Sequence, residues 1–138
     1  MRESNIQTIF GQYIRNKKPL VSAVFELKLS KGTSIPFNVL KDHQIESLLA
    51  ARKEGFYYKL PDPPIFENMA TRFNIKRPFD CMFLTGIEAF VVIMFYKVRQ
   101  PKKFIFIPIR TFLDEKEKSD RKSLTESRAK EIGAEIFI

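Results

Sequence analysis

Val24-Phe25-Glu26-Leu27-Lys28-Leu29 and, beyond a polar loop holding Lys31, Ser34, Pro36 and Phe37, Asp42-His43-Gln44-Ile45 are the stretch on which the reading of this chain turns. Apolar residues alternate from Val21 to Leu29, and a strand points successive side chains to opposite faces. Val21, Ala23, Phe25, Leu27 and Leu29 therefore share one face, and Glu26 and Lys28 project side by side from the other. Taken alone, a Glu-x-Lys pair is also what the wet face of any half-buried strand looks like. After the loop, Asn38 is a plausible N-cap, and Ile45, Leu48 and Leu49 form the apolar stripe of a helix that stops at Gly55. Gln44 lies one turn from Leu48, near the edge of that stripe, where it can look down on the sheet.

Toward the N-terminus, Ile6, Ile9, Phe10, Tyr13 and Ile14 fall at helical spacing, and Ser4 with Gln7 reads as a capping box. Pro19 closes this helix, and Arg15, Lys17 and Lys18 load its end with positive charge. Downstream, Phe56 to Leu60 reads as a short strand ended by Pro61-Asp62-Pro63-Pro64, and Ile65 to Arg77 as a polar excursion. Two strands follow, Phe79 to Leu84 and Glu88 to Lys97, the second apolar almost throughout, as a strand buried on both faces would be. A basic turn, Val98 to Lys103, leads to a strand from Phe104 to Ile109. The charged run Asp114 to Lys122 reads as a solvated loop. Ser123-Leu124-Thr125-Glu126 repeats the capping-box pattern before a helix stopping at Gly133, and Ala134 to Ile138 forms an edge strand. The order of elements predicts a single domain over residues 1–138, of α/β or α+β class, with a mixed central sheet flanked by helices.

A chain of 138 residues with 44% hydrophobic and 13% aromatic content has enough apolar material for a core. Its longest apolar run, Ala89 to Tyr96, is too short to cross a bilayer, and the N-terminus is polar, so a soluble, intracellular, cytoplasmic protein with no membrane partner is expected. One cysteine, Cys81, and one histidine, His43, cannot build a disulfide or a zinc site of the usual kind, which leaves oxygen ligands for any metal. A net charge of +8 favours a polyanionic partner, nucleic acid foremost. Lys17, Lys18, Lys31, Lys76, Arg77, Arg99, Lys102, Lys103 and Arg110, with His43, stand at element ends where phosphate contacts are made.

Glu26-Leu27-Lys28 on a strand, His43-Gln44 at the start of the next helix and Pro78-Phe79-Asp80 leading into a later strand together resemble the PD-(D/E)XK nuclease superfamily, most closely its RecU-type Holliday-junction resolvases. The resemblance covers Ile6 to Leu113. It implies a restriction-endonuclease-like fold, with Asp80 and Glu26 as metal ligands, Lys28 as the catalytic lysine and Gln44 as a supporting residue. The metal implied is Mg2+, with Mn2+ able to substitute, and the activity is cleavage of branched DNA by a homodimer. The order departs from the family pattern, because the Asp strand there precedes the Glu-x-Lys strand, whereas Asp80 follows it by a helix and a strand. That leaves Asp62, in a literal Pro-Asp, as a competitor for Asp80. An acidic residue on the first helix has only Glu3 or Gln7 as counterparts. Two further readings remain open on the same residues: a nuclease acting on duplex or flap DNA, and a nucleic-acid-binding module of the same fold without catalysis.

Overall fold

A computed structural model of the chain describes residues 2–17, 23–54, 56–59 and 81–137, with the backbone alone for residues 3, 17, 56–59 and 81–84. In chain order the elements are helix α1 (Glu3–Lys17), strands β1 (Ala23–Ser30) and β2 (Ser34–Pro36), a 3-10 turn (Phe37–Val39) and helix α2 (Asp42–Lys53). Strands β3 (Phe56–Lys59), β4 (Cys81–Leu84), β5 (Glu88–Phe95) and β6 (Lys103–Pro108) follow. Helix α3 (Ile109–Lys118), strand β7 (Ser123–Thr125), helix α4 (Glu126–Ile132) and strand β8 (Ala134–Phe137) complete the described chain.

The main sheet has four strands in the order β1-β5-β6-β8. β5 runs parallel to β1 and antiparallel to β6, and β6 is antiparallel to β8, so the sheet is mixed. Val91, Val92, Ile93, Met94 and Phe95 of β5 are all buried. With a strand on each side and a core on each face, this segment meets no water, which is why its sequence does not alternate. One face of the sheet packs Phe25, Leu27, Leu29, Phe90, Val92, Met94 and Phe104 against Ile6 and Phe10 of α1. The Phe10 ring meets those of Phe25 and Phe104 edge-on at 5.1 and 5.2 Å, a favoured aromatic geometry. The other face packs Val24, Val91, Ile93, Phe95, Ile105 and Ile107 against Leu48 of α2, Ile109 and Phe112 of α3 and Ala129 of α4. The protein is therefore a three-layer α/β structure with one helix on one face and three on the other.

Several local expectations change. The run read as a solvated loop from Asp114 is largely the second half of α3, whose apolar positions Ile109, Phe112 and Leu113 pack into the core on one face of the sheet. Asn38 sits inside the 3-10 turn, and the N-cap of α2 is Lys41. Ser4 lies within α1, and its hydroxyl reaches Asn5 Oδ1 at 3.4 Å, so Ser4 is not the N-cap of this helix. At the other end of the chain Ser123 is in β7, paired with Pro36 of β2, and Thr125 caps α4 by accepting from the Arg128 N–H. β2 and β7 form a two-stranded sheet that the sequence reading does not contain.

β3 and β4 pair antiparallel in a two-stranded sheet of their own, and β1 is an edge strand of the main sheet among the described residues. Asp80, one residue before β4, lies outside the described residues, as do Asp62, Lys18, Lys76 and Arg77. No helix among the described residues is long and apolar enough to cross a membrane.

Candidate functional site

Strand periodicity places Glu26 and Lys28 on the face of β1 that looks toward α2, opposite the Phe25-Leu27-Leu29 face that packs on α1. Their register partners on β5 are Val91 and Ile93, both fully buried, so the two charges rise from an apolar floor. Lys28 is only 8% exposed. A lysine in that setting needs partners for its ammonium, and it has two. Nζ lies 3.0 Å from Glu26 Oε1 and donates to Gln44 Oε1 at 3.2 Å. Gln44 Nε2 in turn donates to Glu26 Oε1 at 2.7 Å. The three side chains close a triangle between the strand and the first turn of α2.

Gln44 is held from its other side as well. The N-terminal turn of a helix has N–H groups without intrahelical partners, and the Lys41 N–H donates to Gln44 Oε1 at 3.1 Å. The amide oxygen is pinned by this bond and by Lys28, so the amide nitrogen must face Glu26. Glu26 uses Oε1 for both of its contacts, and Oε2 has no partner among the described residues while the side chain is 27% exposed. The arrangement therefore offers an outward carboxylate oxygen beside an ammonium with one N–H to spare.

The structure thus brings Glu26, Lys28 and Gln44 together; it does not describe Asp80. Among the described residues no group of three or more His, Cys, Asp and Glu side chains could hold a metal, and Glu26 is the one carboxylate in the triangle. His43 is exposed on the first turn of α2, where its carbonyl accepts from Ser47 Oγ at 2.7 Å. Lys31 is exposed in the turn after β1, and Arg110 is exposed in the first turn of α3. Lys17 ends α1, with its side chain outside the description. Gln7 is exposed on α1, across the sheet from Glu26.

A second charged cluster escaped the sequence reading. Glu126, assigned there to a capping box, is buried and carries Lys97 on Oε2 at 2.8 Å and Lys130 and Lys103 on Oε1 at 3.1 and 3.2 Å. Burial pushes its carboxyl up, but the three ammoniums outweigh this and hold it at about 2. Lys103 also lies 2.6 Å from Glu135 Oε1, an ion pair whose direction is poor for a hydrogen bond, and the Glu135 carboxylate raises the lysine pKa. The available signal was Lys97 and Lys103 flanking one hairpin, though nothing in the sequence tied them to Glu126.

Comparison with known proteins gives no matching family model, no matching curated protein and no matching solved structure.

Proposed function

We propose that this chain is a metal-dependent DNA endonuclease with a rearranged PD-(D/E)XK architecture, acting on branched DNA in the manner of a Holliday-junction resolvase. The observation that carries the proposal is the Glu26–Lys28–Gln44 triangle. A strand-borne Glu-x-Lys and a helix-borne Gln are joined by contacts of 2.7 to 3.2 Å, on the side of β1 that the sequence pattern assigned to chemistry. In this reading Glu26 and Asp80 hold Mg2+, with Asp62 the alternative to Asp80.

The donor chemistry suits a hard cation as far as it is described: Glu26 Oε2 is an outward carboxylate oxygen, and Mg2+ takes one or two protein carboxylates and keeps several waters. When bound, the ion would lower the pKa of a water and offset charge building on the phosphate. The chain's own residues do the rest. Lys28 has three N–H donors, of which Glu26 and Gln44 occupy two, and the third can meet a non-bridging phosphate oxygen or the attacking water. Gln44 fixes the direction of that third donor, because its own amide is locked by the Lys41 N–H. As water attacks phosphorus, one ester P–O bond breaks and the departing oxygen takes up a proton. Two symmetric cuts in a junction need two sites, so the active species is a homodimer.

The test is incubation with a synthetic four-way junction, a matched duplex and a flap, with and without Mg2+. Metal-dependent cutting of the junction in preference to the other two is expected. Cutting of the duplex or flap alone would keep the nuclease and remove the resolvase, and binding without cutting of any substrate would leave a nucleic-acid-binding module.

A further inference from the structure

Beyond the C-terminal end of the parallel pair β1 and β5 there is an open cleft of about 730 Å3, lined by Thr33, Lys97, Arg121, Thr125, Ser127 and Lys130 together with Glu126 and Glu131. Thr33 follows the end of β1, Lys97 follows the end of β5, and the Thr33 carbonyl accepts from the Glu126 N–H at 2.8 Å. The cleft is on the same side of the sheet as Lys28, because Ala129 of α4 packs in the core that holds Ile93 and Phe95. Lys28 is level with Ile93, and Lys97 is four residues further on, about 13 Å at the rise of an extended chain.

Two glutamates line the cleft, yet its balance is positive. Glu131 lies 2.8 Å from Arg128, a guanidinium it shares with Glu115 at 2.9 Å. Of the lining residues, the three cations Lys97, Lys130 and Arg121 face the two carboxylates Glu126 and Glu131, which leaves one positive charge over. Arg121 forms no ion pair among the described residues.

A structural clamp explains Lys103, which is 19% exposed between two carboxylates. It does not explain why Lys97 and Lys130 stand 40% and 37% exposed around an open cleft, where ion pairs contribute little to stability. An ammonium has three donors, and Lys97 gives one to Glu126, leaving two for solvent or a ligand. Because the buried Glu126 already restrains both lysines, much of the entropy cost of ordering them falls before an anion arrives.

We propose that this cleft is a phosphate-binding subsite for a nucleic-acid backbone, contacted by Lys97, Lys130 and Arg121 with the Thr33 and Ser127 hydroxyls as neutral donors. The identity of the anion rests on the nucleic-acid part of the reading above; the site itself does not depend on catalysis.

The test is fluorescence anisotropy of a labelled oligonucleotide over a salt series, on the Glu26→Gln background so that no strand is cut. Lys97→Gln with Arg121→Gln should weaken binding about tenfold or more and reduce the slope of log affinity against log salt by about 2, the value for two lost phosphate contacts. Lys53→Gln with Lys116→Gln removes the same charge from exposed helical positions outside the cleft and should change affinity less than about threefold. Equal effects from the two pairs, or none from the first, would overturn the subsite. Arg121→Glu breaks no ion pair among the described residues and so keeps the test independent of folding; it should weaken binding by itself, and unchanged affinity counts against the proposal. Inorganic phosphate should displace the oligonucleotide only at millimolar levels or above, and displacement in the micromolar range would make this a site for the free anion instead. Binding is the readout, so failure of the subsite and failure of the nuclease reading are seen separately.

Discussion

Lys28 is a residue that stability alone does not call for. Burying an ammonium costs several kcal/mol, and an ion pair returns that only with good geometry, so apolar replacements of buried pairs are often neutral or stabilising. Replacing both charges together, Glu26→Gln with Lys28→Met, should therefore leave the stability measured by urea unfolding within about 1 kcal/mol of the wild type, or raise it. Gln44 keeps the Lys41 N–H, and an amide oxygen at position 26 can still accept from Gln44, when both charges are gone. A loss of about 3 kcal/mol or more would make the pair a structural clamp and weaken the functional reading. Gln44→Leu removes a cap and a donor to Glu26 together, and a loss of about 1 kcal/mol is expected in the same assay. That Glu26 and Lys28 share a face was legible from a period of two, and that Gln44 can face the sheet from a period of 3.6; that the three side chains meet was what the family resemblance implied. The Lys41 cap was not legible, since it depends on the 3-10 turn delivering the chain to α2 at that residue rather than at Asn38.

At the level of elements, Gly133 joins α4 to β8 under a tight constraint. A Cβ there would lie 2.8 Å from the Phe106 carbonyl oxygen and 2.8 Å from Ile107 Cγ1, and the first of these is backbone that cannot swing aside. Gly133→Ala should destabilise by about 1–3 kcal/mol in urea unfolding, although removing a glycine usually restricts the unfolded chain and helps. Unchanged stability would mean that β8 is held less closely against β6 than the structure shows. The Glu126 cluster sets a pH dependence. Its folded carboxyl, at about 2, lies below the ordinary 4.5, so its contribution is present above about pH 4.5 and is lost as pH falls through about 2. The gap in melting temperature between wild type and Glu126→Gln should therefore narrow from about pH 5 to about pH 2, and a constant gap would contradict the ion-pair account. α3 shows why elements escape a sequence reading: its buried residues Ile109 and Phe112 were assigned to a strand and its margin, and the charged face that remained looked like a loop.

The whole molecule joins a mixed sheet, read correctly from the β5 run and its neighbours, to a strongly basic surface. The sheet order was harder to read, because strand pairing is non-local: the family resemblance puts the strand after Asp80 beside the Glu26 strand, whereas among the described residues β4 pairs with β3 in a sheet of their own and β1 pairs with β5. A net charge of +8 predicts binding to DNA whose log affinity falls with log salt by roughly 0.9 for each phosphate contact, and an affinity indifferent to salt would point to a protein partner. The most direct measurement of the central claim compares wild type with Glu26→Gln for cleavage and for binding of a four-way junction in Mg2+. The substitution keeps an oxygen to accept from Lys28 and Gln44 and removes the anionic character of the outward oxygen, so binding and fold should persist while cleavage disappears. Cleavage at the wild-type rate by Glu26→Gln would contradict the site and the function built on it.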